Sequence, residues 1–178
     1  MITKTSSIQE LNKIIRNQLI LQSELQPNQV MNGVSIHGQD LLERINQYAY
    51  KTYTLDSSFI VFVLESRDSS SDFSQTREDG NLNITASYLV HCYVYGFESQ
   101  TLVNKIVARL RTEYSRLALQ EQGVYLESIN NIVTGNDFIN NTLMIRTDFY
   151  INISCEMEIS QITKENLYED IDLNIEEV

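Results

Sequence analysis

The sequence predicts an α+β fold: a mixed, mainly antiparallel sheet packed against two or three helices, with a long projecting hairpin and an acidic C-terminal arm. Two stretches, Leu82–Val94 and Leu143–Ile159, alternate apolar and polar residues at the period of a strand. Between them, Val103, Ile106, Val107, Leu110, Tyr114 and Leu117 recur at helical spacing. The order strand, helix, strand, strand makes a small unit with no room for an elaborate active site.

The flanking elements follow from local signals. Ile8, Leu11, Ile14, Ile15 and Leu19 form a helical stripe, with Ser6 or Ser7 and then Glu10 as its N-terminal cap. This helix must end before Pro27, because the residue ahead of a proline is pushed out of the α region. Val30, Val34 and Ile36 suggest a short strand broken at Gly33. Gln39–Tyr53 reads as a second helix with Leu41, Leu42, Ile45, Tyr48 and Ala49 on one face. Phe59–Leu64 is an apolar, β-branched run of core-strand length.

Ser66–Asn81 is rich in serine, aspartate and arginine, and its flanking strands should be neighbours. It is therefore expected as the tip of a projecting hairpin. On the strand that follows, Leu82, Ile84, Ala86, Tyr88, Val90, Cys92 and Val94 are assigned to the core. The alternate face, with His91, Tyr93 and Tyr95, is half polar and available to another subunit. Ser99 is expected to cap one helix running to about Gln120, with Gly123 in the position after its end. Val124–Val133 is a mixed strand. Leu143–Ile159 is so long that it must bend or pair beyond one domain. Thr163–Val178 interleaves acids with aliphatics, so the chain divides into a domain over 1–162 and an acidic arm over 163–178.

Charge and chemistry narrow the function. Among 178 residues, a net charge of −11 disfavours gripping DNA or an anionic membrane, although an acidic surface suits a passage through which DNA slides. No stretch reaches the ~20 apolar residues of a membrane span. The polar start, Met1–Gln9, lacks a signal peptide's apolar core, which points to assembly in the cytoplasm. Cys92 and Cys155 fall on apolar strand phases and read as buried free thiols, with a cross-strand disulfide as the other possibility. No phosphate loop, nucleophile elbow or calcium loop is present. His37 and His91 lack partners at ligand spacing. No catalytic residue, metal site or cofactor is assigned, and no enzyme is expected.

Partner contacts are assigned instead. Lys105, Arg109 and Arg116 share one side of the main helix in an acidic chain, with Arg111 on the opposite flank. They offer either a solvated face or a basic dock for an acidic neighbour. The acids Glu169, Asp170 and Asp172 of the arm are candidate occupants. Arg67 and Arg77, in the hairpin tip, are assigned to partner contacts as well.

Thr85–Ile159 carries a family resemblance. The strand ending in Tyr95-Gly96, the helix Ser99–Gln120, the Leu-x-x-Gln-Gly-Val turn over Leu119–Val124 and the closing strand with Phe149 and Tyr150 resemble the tail-terminator (neck) proteins of tailed bacteriophages. Leu41–Tyr53 and the acidic arm stand outside the resemblance as additions. It implies a virion subunit at the head–tail junction that forms a ring with itself, typically a hexamer. The implied partners are the tail tube, the head connector and, in some tails, a sheath protein. DNA would pass through the lumen without sequence-specific binding, and no membrane is involved. Two alternatives remain at this stage: another head–tail completion or tube protein, and an acidic, non-enzymatic binding module that sequesters a basic partner.

Overall fold

A computed structural model describes residues 7–33, 58–67, 75–76, 82–139 and 142–159. Helix α1 spans Ile8–Ser23, opened by Ser7, whose Oγ accepts from the Glu10 backbone N–H at 3.2 Å. It closes at Glu24, which adopts a left-handed conformation (φ 63°) and donates its N–H to the Ile20 carbonyl. A single 3-10 turn over Pro27–Gln29 leads into strand β1, Val30–Asn32. Arg16 fastens this corner, donating to the carbonyls of Val30 and Pro27.

The remaining strands are β2 (Phe59–Ser66), β3 (Gln75–Thr76), β4 (Leu82–Tyr95), β5 (Val124–Ile139) and β6 (Thr142–Ile159). Helices α2 (Ser99–Leu110) and α3 (Glu113–Gln120) lie between β4 and β5. The sheet order is β1-β2-β4-β6-β5, with β3 pairing to the start of β4. Among the described strands only β1 and β2 run parallel, so the sheet is mixed and mainly antiparallel, as its alternation predicts.

Register sorts the two faces. Phe62 faces Cys92, which faces Phe149; Ile60 faces Val94; Val90 faces Ile151. These residues meet Leu11, Ile15 and Leu19 of α1 and Val103, Ile106 and Leu110 of α2 in one buried core. All of them are at most 3% exposed, so each large side chain here supplies the ~1.5–3 kcal/mol typical of full burial. The opposite face carries a smaller buried group of Phe59, Val61, Tyr95 and Met144.

β6 is the spine. It pairs with β4 from Leu82↔Ile159 to Tyr95↔Arg146 and with β5 from Val124↔Cys155 to Ile139↔Thr142. The two ladders are offset, so β6 outruns β5 at one end and β4 at the other. Its 18 residues would span about 60 Å if straight. The excess length anticipated from the sequence is thus used to extend the sheet in both directions.

Several expectations are corrected. The helix expected over Ser99–Gln120 is two helices. Thr112 ends the first by donating to the Arg109 carbonyl at 2.7 Å, and caps the second by accepting from the Ser115 N–H at 3.3 Å. The break turns Tyr114 and Leu117 out of the buried stripe, to 77% and 50% exposure. Ser99 is not a cap but the first residue of α2. Its buried hydroxyl meets Thr147 Oγ1 at 2.9 Å, and Thr134 Oγ1 lies 3.2 Å from the same oxygen. Tyr95, placed on the half-polar face, is buried there against Phe59, with ring centroids 4.8 Å apart. Leu143, placed on the core face, is 55% exposed because β6 has by then run beyond the helix layer. The strand expected over Val124–Val133 continues to Ile139. Cys92 and Cys155 are both buried and free. They face Phe149 and Ala86, six ladder positions apart, which rules out a bond between them.

Gly96 deserves mention for its backbone: φ is +128°, and a Cβ there would lie 2.6 Å from Ser58 Oγ. Its N–H bonds the Ile145 carbonyl, tying the β4–α2 corner to β6. The adjacent, antiparallel β2 and β4 agree with the expected Ser66–Asn81 connection. Of that segment only Ser66, Arg67 and Gln75–Thr76 are described. The helix expected over Gln39–Tyr53, the strand residues Val34 and Ile36, the arm and the 162/163 boundary lie outside the described residues.

Candidate functional site

Three surfaces stand out, and none is a catalytic cleft. The first is the sheet face opposite the helices. His91 of β4 lies between Tyr93 (ring centroids 3.9 Å) and Tyr150 of β6 (4.1 Å). Its Nε2 makes no hydrogen bond and stands 3.8 Å from Asp148 Oδ2. Arg146 Nη1 contacts Asp137 Oδ2 at 2.8 Å, and its Nε lies 2.9 Å from Asp148 Oδ1. The guanidinium also sits 5.5 Å from the Tyr93 ring centroid.

Burial works against the charge on Arg146, but Asp148, Tyr95 and Asp137 outweigh it and raise the pKa of the group. Burial pushes the Tyr95 phenol well above its ordinary value, with Asp137 adding to the effect. Tyr93 is raised in the same way, by burial and then Asp148. These groups therefore keep their neutral-pH charge states. The face sets one guanidinium between two carboxylates among tyrosine rings, and tyrosine and arginine are residue types enriched where proteins meet proteins.

The second surface joins α1 to α2. Glu24 Oε2 lies 2.5 Å from Lys105 Nζ, and its Oε1 lies 2.6 Å from Arg109 Nη2. Arg109 Nη1 also donates to the Gln22 carbonyl at 3.1 Å. Those hydrogen bonds lower the pKa of the Glu24 carboxyl below its ordinary value. A buried amide reinforces the seam, since Gln22 Nε2 donates to Ser115 Oγ at 3.1 Å. Two of the cations assigned to partner contact thus already hold an acid of their own chain. Arg116 is elsewhere: the break at Thr112 places it with Arg111 in a groove lined also by Leu126, Glu127, Ser128 and Ile129. Arg111 and Arg116 therefore share a groove, where an unbroken helix would have set them on opposite flanks. Arg67 is exposed at the end of β2, its N–H bonded to the Ser87 carbonyl. Arg77, Glu169, Asp170 and Asp172 lie outside the described residues.

The third surface was missed by sequence reasoning. Beyond Tyr95 the β5–β6 ladder continues alone to Ile139↔Thr142, extending past β4 by about 13 Å. This extension exposes Phe138 (72%) and Leu143 (55%), and Val133 (59%) stands two pairs earlier on β5. Phe97, at the β4–α2 corner, is 80% exposed at the same end of the sheet. A signal existed in the two residues Asn140-Asn141 between apolar runs, a hairpin pattern masked by the turn formers Gly135, Asn136 and Asp137.

Chemically the described residues offer little beyond contact. Burial pushes the Cys155 thiol up to about 11 and the Cys92 thiol higher still, so neither is a nucleophile at neutral pH. No described cluster of three His, Cys, Asp or Glu has the arrangement to hold a metal ion. No described helix is long and apolar enough to cross a membrane.

A family model described as phage neck terminator protein matches residues 10–178. The chain belongs to the phage neck terminator family. No match was found among curated proteins. The family is a structural one, and its name places this neck terminator in the virion at the head–tail junction. The match also widens the resemblance read over Thr85–Ile159. Its bounds take in Leu41–Tyr53 and the acidic segment 163–178.

Proposed function

We propose that the chain is a ring-forming subunit that caps the tail tube and joins the tail to the head connector. The family match over residues 10–178 carries this reading. The fold supports it in two ways. β6 extends the sheet at both ends, which gives one subunit contact surfaces on opposite sides of its core. The exposed apolar hairpin and the polar, tyrosine-bearing sheet face are different surfaces, as a closed ring of head-to-tail contacts requires. Six copies, a sheath contact in tails that have one, and an acidic lumen through which DNA slides complete the proposal.

Phage lacking this chain tests it. Heads that fill but remain tailless, beside tails of uneven length, are the expected result. Addition of the purified protein should restore joining. Normal particles without the chain would overturn the reading, and heads unable to retain DNA before tails arrive would assign it to head completion instead.

A further inference from the structure

We infer that the acidic segment 163–178 of one copy docks along the β5 edge of the next, in the groove that holds Arg111 and Arg116. The inference rests on the self-assembly part of the proposed function and names the contact.

Four observations lead to it. β5 ends the strand order, so its outer backbone edge has no strand partner among the described residues. A chain laid along such an edge gains main-chain hydrogen bonds. Beside that edge, the α3–β5 groove is lined by Leu126 and Ile129 together with the Arg111 and Arg116 side chains. Both arginines are exposed, and neither side chain has an ion-pair or hydrogen-bond partner among the described residues. Lys105, Arg109 and Arg146 each hold a carboxylate, whereas Arg111 and Arg116 stand together in one groove without one. Glu127 is the one acid at the groove among the described residues, so two positive charges there face one negative.

The segment supplies the complement. From Glu169 onward it alternates as an extended chain does: Ile171, Leu173 and Ile175 fall on one side, Asp170, Asp172 and Glu176 on the other. The aliphatic side suits Leu126 and Ile129, and the acidic side suits the two arginines. The basic dock for the arm is thus moved from Lys105 and Arg109, which Glu24 occupies, to Arg111 and Arg116.

A second copy is the occupant for reasons of path. β6 ends at Ile159, opposite Leu82 of β4, and β5 begins opposite Cys155. Reaching its own groove, the segment would reverse and cross the α3–β5 turn at Gly123, and connections that cross at one end of a sheet are rare. Residues 160–178, if extended, reach about 60 Å, enough to leave the subunit. Exchange of this kind is heterologous, one surface meeting a different one, which is the type of contact from which rings are built.

The experiment mixes two full-length chains of distinguishable mass, one carrying Glu127→Cys and the other Asn174→Cys, and adds a short bismaleimide. Buried Cys92 and Cys155 contribute no background. The expected product is a cross-link between the two different chains. It should fall at least tenfold when the Glu127→Cys chain also carries Arg111→Glu and Arg116→Glu, with that variant's melting temperature unchanged. It should return in part when the partner carries Asp170→Lys and Asp172→Lys. A single chain carrying both Glu127→Cys and Asn174→Cys that links only within itself would overturn exchange in favour of docking within one copy. Absence of any link, in a protein that still assembles at the head–tail junction, would overturn the inference and leave the proposed function standing. Failure of the proposed function itself is read separately, in the phage lacking the chain.

Discussion

Glu24 Oε1 lies 2.6 Å from Arg109 Nη2, so a left-handed residue closing α1 also ties α1 to α2. Residues 85 apart in sequence meet there, with Lys105 on the second carboxylate oxygen. The clasp is exposed, which makes it sensitive to salt. Glu24→Gln should lower the melting temperature at low ionic strength, and the gap from the native chain should shrink as salt is added. The pH dependence has a definite sign. The folded-state pKa lies below the ordinary 4.5, so the contribution is complete above about 4.5 and lost as pH falls through the depressed value. Equal melting temperatures at pH 7 in low salt would show that the clasp contributes nothing.

Phe149 tests the core. It is fully buried opposite Cys92 on the helix-facing side of the sheet. Phe149→Ala should cost about 3–5 kcal/mol in urea unfolding, the usual penalty for emptying such a site. A loss under ~1 kcal/mol would mean that the helix layer does not close over β6 as described.

Asp148 tests the open sheet face. It is 13% exposed beside Arg146 and His91, so Asp148→Asn leaves a partly buried guanidinium short of one acid. A destabilisation of about 1–3 kcal/mol is expected. Arg146→Met combined with Asp148→Asn should cost less than the sum of the two single changes. Additive single changes would refute the pairing.

How much of this was legible in the sequence depends on whether local pattern or tertiary contact decided it. α1 was legible because Ser7, the apolar stripe and Pro27 are all local. β4 and β6 were legible because alternation survives wherever one sheet face is buried, and it places Val90, Cys92, Phe149 and Ile151 without further help. The helix break was not seen. Its capping residue Thr112 followed by Glu113 is a start signal, but Ser115 is held from across the chain by Gln22, which no helical period reveals. The far half of β5 was lost because Gly135, Asn136 and Asp137 carry turn propensity, overridden there by pairing with Arg146, Ile145 and Met144. Among the site residues, charge spacing located Lys105 and Arg109 but could not show that Glu24 holds both.

The two thiols give a chemical test of the same packing. Cys92 and Cys155 are buried, and burial holds both thiols in the neutral form, Cys155 at about 11. Neither should react with an aromatic disulfide reagent at pH 8 until denaturant is added, when both should react. Rapid reaction of either in the native protein would contradict the burial of that strand.

The β5–β6 hairpin separates assembly from stability. Phe138→Ser and Leu143→Ser alter side chains that are 72% and 55% exposed, so unfolding free energy should change by no more than ~0.5 kcal/mol. Head–tail joining should nevertheless fall, because exposed apolar surface at a projecting end is contact surface. Joining at normal yield would remove the hairpin from the interface.

The central claim is position in the particle, and electron microscopy of virions carrying a label fused ahead of Met1 tests it most directly. Ring-shaped label density between head and tail, in the same place on every particle, is the expected result. Label spread along the tube, confined to the capsid, or absent from virions would contradict it.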